Sequence, residues 1–193
     1  MGWDLETLKI FWYRVQEFMR LHPWLLFVAL VILPGLPVPT SALLFLTGTI
    51  WGEHPVAASS LAIAALAINM SWCYWLASGP GREIAGRWFS RTDLPILPAG
   101  DSLRTILLLR LTPGLPLFAQ NYLLGFLRVP FGQYIGVSLL CNGVLSVAVI
   151  LAGAGIAGGD LGTVLTGISI AIVATIAIKW IREKLIRRNG ARA

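Results

Sequence analysis

Arg110 lies in the apolar run ILLLRLTP, residues 106–113, one turn before a helix break. A guanidinium in apolar surroundings is costly and usually faces a cavity or a partner. Its planar fork suits a phosphate or a carboxylate. A helix starting after Pro116 would aim unpaired N–H groups at the same region, which also favours an anion. Asn121 follows in that segment, and Thr40 and Ser41 follow an earlier break. Arg110, Asn121, Thr40 and Ser41 are therefore the candidate groups for binding a phosphate. The competing readings of Arg110 are a structural ion pair or a side chain that snorkels to the interface.

The break itself is duplicated. PGLP occurs at Pro34–Pro37 and again at Pro113–Pro116, each inside strongly apolar sequence. Pro34, Gly35, Pro37 and Pro39 interrupt the first run; Pro113, Gly114 and Pro116 interrupt the second. Each proline removes a backbone donor. Irregular backbone at membrane depth is tolerated only inside protein or against water. Two such breaks predict a polar pocket near the midplane, formed by halves related by approximate inverted symmetry.

Other polar groups have plainer expectations. Asn69 and Asn142 sit mid-span, where amides commonly bridge helices. Glu53 and Asp101 are the acidic candidates for proton coupling; with Asp160 they also read as solvated loop carboxylates. Cys73 and Cys141 lie in apolar spans without metal-ligand spacing and read as buried thiols. The sequence has no HExxH, GxSxG or Walker A pattern, and its two histidines, His22 and His54, fall near expected interfaces. No enzyme activity, cofactor or metal is expected.

The elements that position these groups follow from composition. The chain of 193 residues is 56% hydrophobic and 12% charged, with a mean hydropathy of +0.76. Soluble domains carry about 25% charged residues, so the sequence predicts an all-α integral membrane protein. Residues 1–22 read as an amphipathic interfacial helix with no cleavable signal, 23–181 as one membrane domain, and 182–193 as a basic tail. Apolar spans are expected at 55–78, 130–153 and 161–181, and a basic surface helix at 82–91. The first run, 24–33, is too short to cross: it must borrow turns from the amphipathic helix or continue past the prolines. Gly132 and Gly136 form a GxxxG pair suited to close packing or to a homo-oligomeric contact, and Gly143, Gly153, Gly155 and Gly167 extend that theme.

Charge sets the orientation. Of fifteen basic residues, all but Arg110 and Arg128 fall before residue 21, between 82 and 104, or after 178. The positive-inside rule puts the N-terminus, the 80–104 loop and the C-terminus on the cytoplasmic side, in a bacterial cytoplasmic membrane. The segment 103–127 must then enter and leave on one side, as a re-entrant hairpin. The net charge of +6 is placed for membrane orientation, and no nucleic-acid partner is expected.

Residues 104–143, RTILLLRLTPGLPLFAQNYLLGFLRVPFGQYIGVSLLCNG, resemble the second block of the DedA superfamily, the SNARE-associated Golgi proteins with a VTT domain. The shared pattern is an arginine, P..P, N...G and an aromatic, here Arg110, Pro113, Pro116, Asn121, Gly125 and Phe131. Residues 33–52 resemble the first block, and the resemblance runs over residues 25–155. It implies two opposed re-entrant hairpins, movement of phospholipids or polyprenyl phosphates between leaflets, proton coupling in some members, and Arg110 as the functional arginine. Thr40 stands where lipid-carrier transporters have an acidic residue, and Leu115 where they often have a second arginine. The leading expectation is a lipid transporter or scramblase whose partners are membrane lipids. A secondary transporter of a small anion and a membrane scaffold are the alternatives.

Overall fold

The computed structural model describes residues 5–84, 99–112 and 114–190. All regular structure among them is helical: α1 (Leu5–Leu21), α2 (Pro23–Ile32), α3 (Thr40–Ile50), α4 (Pro55–Leu76), α5 (Ala99–Arg110), α6 (Leu117–Phe126), α7 (Phe131–Gly158) and α8 (Leu161–Gly190). Prolines at the first positions of α2 and α4 supply a preset φ where no N–H is needed. A π-helical turn, Ala77–Gly81, carries α4 on to Ile84. Most of the expected surface helix at 82–91 lies outside the described residues, as does Pro113.

Among the described residues, three helices are long and apolar enough to cross a membrane: Pro55–Ile84, Phe131–Gly158 and Leu161–Ile181. The protein is a multi-pass integral membrane protein. Helix α8 runs through most of the expected tail, ending at Gly190. Basic side chains after an apolar span do not stop a helix, because Lys and Arg are good helix formers.

The first apolar run does not gain length from α1. The axes of Tyr13–Met19 and Trp24–Gly35 meet at 109°. Instead α2 and α3 lie side by side: Leu26, Phe27 and Leu30 share a small gap with Thr47 and Trp51 of the α3 end and with Leu61 and Ala62 of α4. Helix α1 touches both α2 and α3. It therefore sits at the bundle end that carries the α3–α4 turn.

Small residues let the helices approach. Ala58, Ala62 and Ala65 form a fully buried ridge on α4. A Cβ on Gly48 of α3 would strike the Ile150 carbonyl of α7, and one on Gly153 would strike the Phe45 carbonyl. Likewise, Gly167 of α8 packs on Ala148 and Ala152 of α7. Gly132 and Gly136 differ: among the described residues nothing lies within 4 Å of where their Cβ atoms would be. The expected GxxxG contact is thus not made among the described residues.

Gly48→Val should cost about 1–3 kcal/mol through overpacking against backbone that cannot yield, whereas Gly132→Ala should not destabilise. Thermal unfolding in detergent by scanning fluorimetry checks both.

Candidate functional site

Both breaks leave backbone groups that must find partners away from water. After α2 the chain makes one 3₁₀ turn, Leu33–Gly35, with the Leu36 N–H bonded to the Leu33 carbonyl at 2.9 Å. The Val31 carbonyl at the end of α2 accepts two side-chain donors from α4: Asn69 Nδ2 at 2.8 Å and Trp72 Nε1 at 2.8 Å. Asn69 is fully buried and serves the break as the helix-bridging amide its mid-span position suggests. Gly35 allows this docking, because a Cβ there would overlap the Trp72 ring and meet Cys73 Sγ at 2.9 Å.

The second break follows Arg110, the last residue of α5. Thr112 Oγ1 donates to the Leu108 carbonyl at 2.6 Å, and Gly114 takes φ +83°, a value that favours glycine. Pro116, extended at ψ 148°, caps α6, where the Gln120 side chain donates to the Leu115 carbonyl at 2.8 Å. The turn is thus closed partly by its own helix.

Arg110, at the second break, is 8% exposed. Its Nε donates to Ser138 Oγ at 2.9 Å, Nη1 to Gln120 Oε1 at 3.1 Å, and Nη2 to Asn121 Oδ1 at 2.7 Å. Its guanidinium carbon stands 5.4 Å from the centre of the Tyr134 ring. The Tyr134 hydroxyl lies within hydrogen-bond reach of the Met70 carbonyl at 3.0 Å and of Asn121 Oδ1 at 3.1 Å. Every acceptor is neutral, and among the described residues no carboxylate pairs with Arg110. Among the described residues the buried Asn121 Nδ2 has no hydrogen-bond acceptor. A positive charge, N–H donors left over from three bonds and an amide N–H without an acceptor, buried together, have the chemistry that suits an anion.

The family model described as the VTT domain matches residues 38–155. The chain belongs to the VTT-domain family, that of the DedA and SNARE-associated Golgi proteins. No curated protein and no solved structure gives a significant match. The matched span begins at Val38, after Pro34–Pro37, and takes in α3 through most of α7. VTT-domain proteins are membrane-associated and linked to transport or lipid-related function.

In this VTT-domain protein the predicted groups do not all converge. Arg110 and Asn121 meet directly. Thr40 and Ser41 open α3, half-buried and exposed respectively, and neither hydrogen-bonds to Arg110. Asn142 donates to the carbonyl of Ser138 on its own helix at 2.9 Å. Asp101 lies in the first turn of α5 and not in a loop; its side chain is outside the described residues. Glu53 lines a separate cavity of about 780 Å³ with His54, Asp160 and Thr163, at the Gly155–Gly158 end of α7. In that cavity Asp160 caps α8, accepting from Thr163 Oγ1 and from the Gly162 N–H, at 3.0 Å in the latter case. The Thr163 hydroxyl first, and then the Gly162 amide, hold its carboxyl below the usual range.

Sequence reasoning missed Gln120, Tyr134 and Ser138. A legible signal existed: Tyr134, Ser138, Asn142 and Ser146 recur every fourth residue along an otherwise apolar span, marking one helix face.

Asn121→Leu should cost about 2–3 kcal/mol, because it strips an acceptor from a buried charge. Adding Arg110→Met to that variant should restore part of the loss, since the charge then goes with its acceptor; chemical unfolding of both variants in detergent reads the coupling. Asp160→Ala should lower the melting temperature at neutral pH. A depressed carboxyl adds stability above its unfolded value and loses it as pH falls through the folded one. The gap from wild type should therefore shrink on acidification, as measured by thermal scans across pH.

Proposed function

We propose that this protein moves phosphate-bearing lipids, phospholipid or polyprenyl phosphate, between the leaflets of a bacterial cytoplasmic membrane. The observation that carries the reading is the buried guanidinium of Arg110, which has neutral acceptors only and an unpartnered Asn121 amide beside it. A lipid phosphate supplies the missing negative charge and accepts the spare N–H groups, while the tails remain in the bilayer. In this proposal α2–α3 and α5–α6 are two re-entrant hairpins that enter from opposite faces, with approximate inverted symmetry. Each gates one side of the Arg110 site. At 8% exposure Arg110 is closed off, so access requires one hairpin to swing away.

Charge supports a cytoplasmic position for the 80–104 segment and the C-terminal end of α8. The chemistry is binding and passage, with no bond made or broken. Glu53 is displaced from Arg110 by much of the length of α7, so a proton carried by Glu53 does not reach the arginine directly. The open faces of Gly132 and Gly136 are the surface left for a second copy.

In proteoliposomes carrying headgroup-labelled lipid, Arg110→Ala should slow transfer at least about tenfold, the loss of one charge-assisted pair. Circular dichroism should show the helix content retained. Unchanged lipid transfer in a folded variant sinks the proposal. Uptake of soluble phosphate without lipid movement would favour the small-anion alternative instead.

A further inference from the structure

Gln120 stands where the second break and the arginine meet. Pro116 caps α6, and the Gln120 N–H bonds to the Pro116 carbonyl at 3.1 Å. The side chain therefore leaves α6 from its first turn, beside the break. Its two polar atoms have different partners. Nε2 donates to the Leu115 carbonyl at 2.8 Å, and Oε1 accepts from Arg110 Nη1 at 3.1 Å. The orientation of the amide is forced: turned over, it would set Nε2 against a guanidinium and Oε1 against a carbonyl.

Gln120 and Asn121 are consecutive, and they take Nη1 and Nη2 respectively, while Ser138 of α7 takes Nε. The guanidinium is thus held at all three nitrogens. Each of these bonds uses one N–H, so one is left on Nη1 and one on Nη2. A planar fork with a spare donor on each tip matches two oxygens of one oxyanion.

A buried guanidinium is ordinarily compensated by a carboxylate. The three side chains that accept from Arg110 are neutral, and all three are buried. At position 120 the alternative is easily drawn. Glutamate has the length of glutamine, and its ionised oxygens would bind Arg110 more strongly. It would leave the Leu115 carbonyl without a donor, because a carboxylate only accepts. An amide serves both partners and leaves the charge of Arg110 uncancelled.

We propose that Gln120 is a positioning residue of the Arg110 site: it fixes the guanidinium against the second break and, being neutral, leaves the positive charge to be met by an anionic ligand. This inference rests on the reading of Arg110 as the group that binds the ligand.

Two variants separate the charge of residue 120 from its fit. Gln120→Met and Gln120→Glu both lose the bond to the Leu115 carbonyl, and only the glutamate supplies a counter-charge to Arg110. The measurement is the rate at which labelled phosphatidylglycerol changes leaflet, in proteoliposomes of phosphatidylcholine with a rising fraction of phosphatidylglycerol. Gln120→Glu should raise the half-saturating fraction about tenfold over Gln120→Met, the worth of one competing charge-assisted contact. In detergent the order reverses: Gln120→Glu should unfold at a higher temperature than Gln120→Met, because its carboxylate pairs the buried guanidinium. A role in closing the turn alone predicts that the two variants behave alike in transfer. Half-saturation within twofold for Glu and Met, or a glutamate variant less stable than the methionine one, overturns the inference while Arg110→Ala still abolishes transfer. Transfer of labelled phosphatidylglycerol at the wild-type rate by Arg110→Ala removes the preceding reading and this inference together.

Discussion

The constraint that organises this molecule is that a peptide group placed among apolar side chains must be hydrogen-bonded. Helices satisfy it internally, and the prolines at 34, 37 and 39 and at 113 and 116 forbid that solution twice. The two breaks are repaired by different means. At the first, Asn69 and Trp72 reach from α4 to the Val31 carbonyl. At the second, Thr112 and Gln120 close the turn from within. Each repair brings polar side chains to a depth where polar side chains are otherwise excluded. The Arg110 site forms where the second break meets α4 and α7: Gln120 closes the turn with its amide nitrogen and binds the arginine with its oxygen.

That dual use of Gln120 explains why the site was only partly legible beforehand. Arg110 and Asn121 stand out because a guanidinium and an amide in apolar sequence are conspicuous one residue at a time. Tyr134 and Ser138 are not: a tyrosine near a span end reads as an interfacial anchor, and a serine in a span reads as packing. Their meaning comes from α7 facing α5 and α6, which composition does not encode. The same limit applies to Thr40 and Ser41. Proximity to a break marked them, and neither hydrogen-bonds to the arginine.

Architecture was legible where it depends on length and hydropathy. The spans in α4, α7 and α8 follow from unbroken apolar runs, and the duplicated PGLP predicted both breaks. The bend between α1 and α2 was not legible. His22 and Pro23 permit a turn there, and 109° results because α1 packs against α2 and α3 instead of continuing the α2 axis. The small-residue pattern was read correctly as close packing, yet the contacts fell to Gly48, Gly153 and Gly167 rather than to the more obvious GxxxG at Gly132 and Gly136. Backbone approach is decided by which face of α7 meets α3 and α8, and spacing alone is silent on that.

The two broken segments are held in ways that differ in kind, and the difference bears on motion. The α3 arm is fastened to α7 by backbone contact at Gly48 and Gly153, where carbonyl and Cα surfaces touch. Such contacts have no substitute: moving α3 away loses dispersion that no ligand returns. The α5–α6 arms combine close backbone contact, Gly125 against Tyr74 of α4, with charge-assisted bonds from Arg110 to Ser138, Gln120 and Asn121. Bonds of that kind can be exchanged for equivalent bonds to an anion at small net cost. The α5–α6 segment therefore adds exchangeable polar bonds to its packing, while α3 rests on apolar and backbone packing against α7.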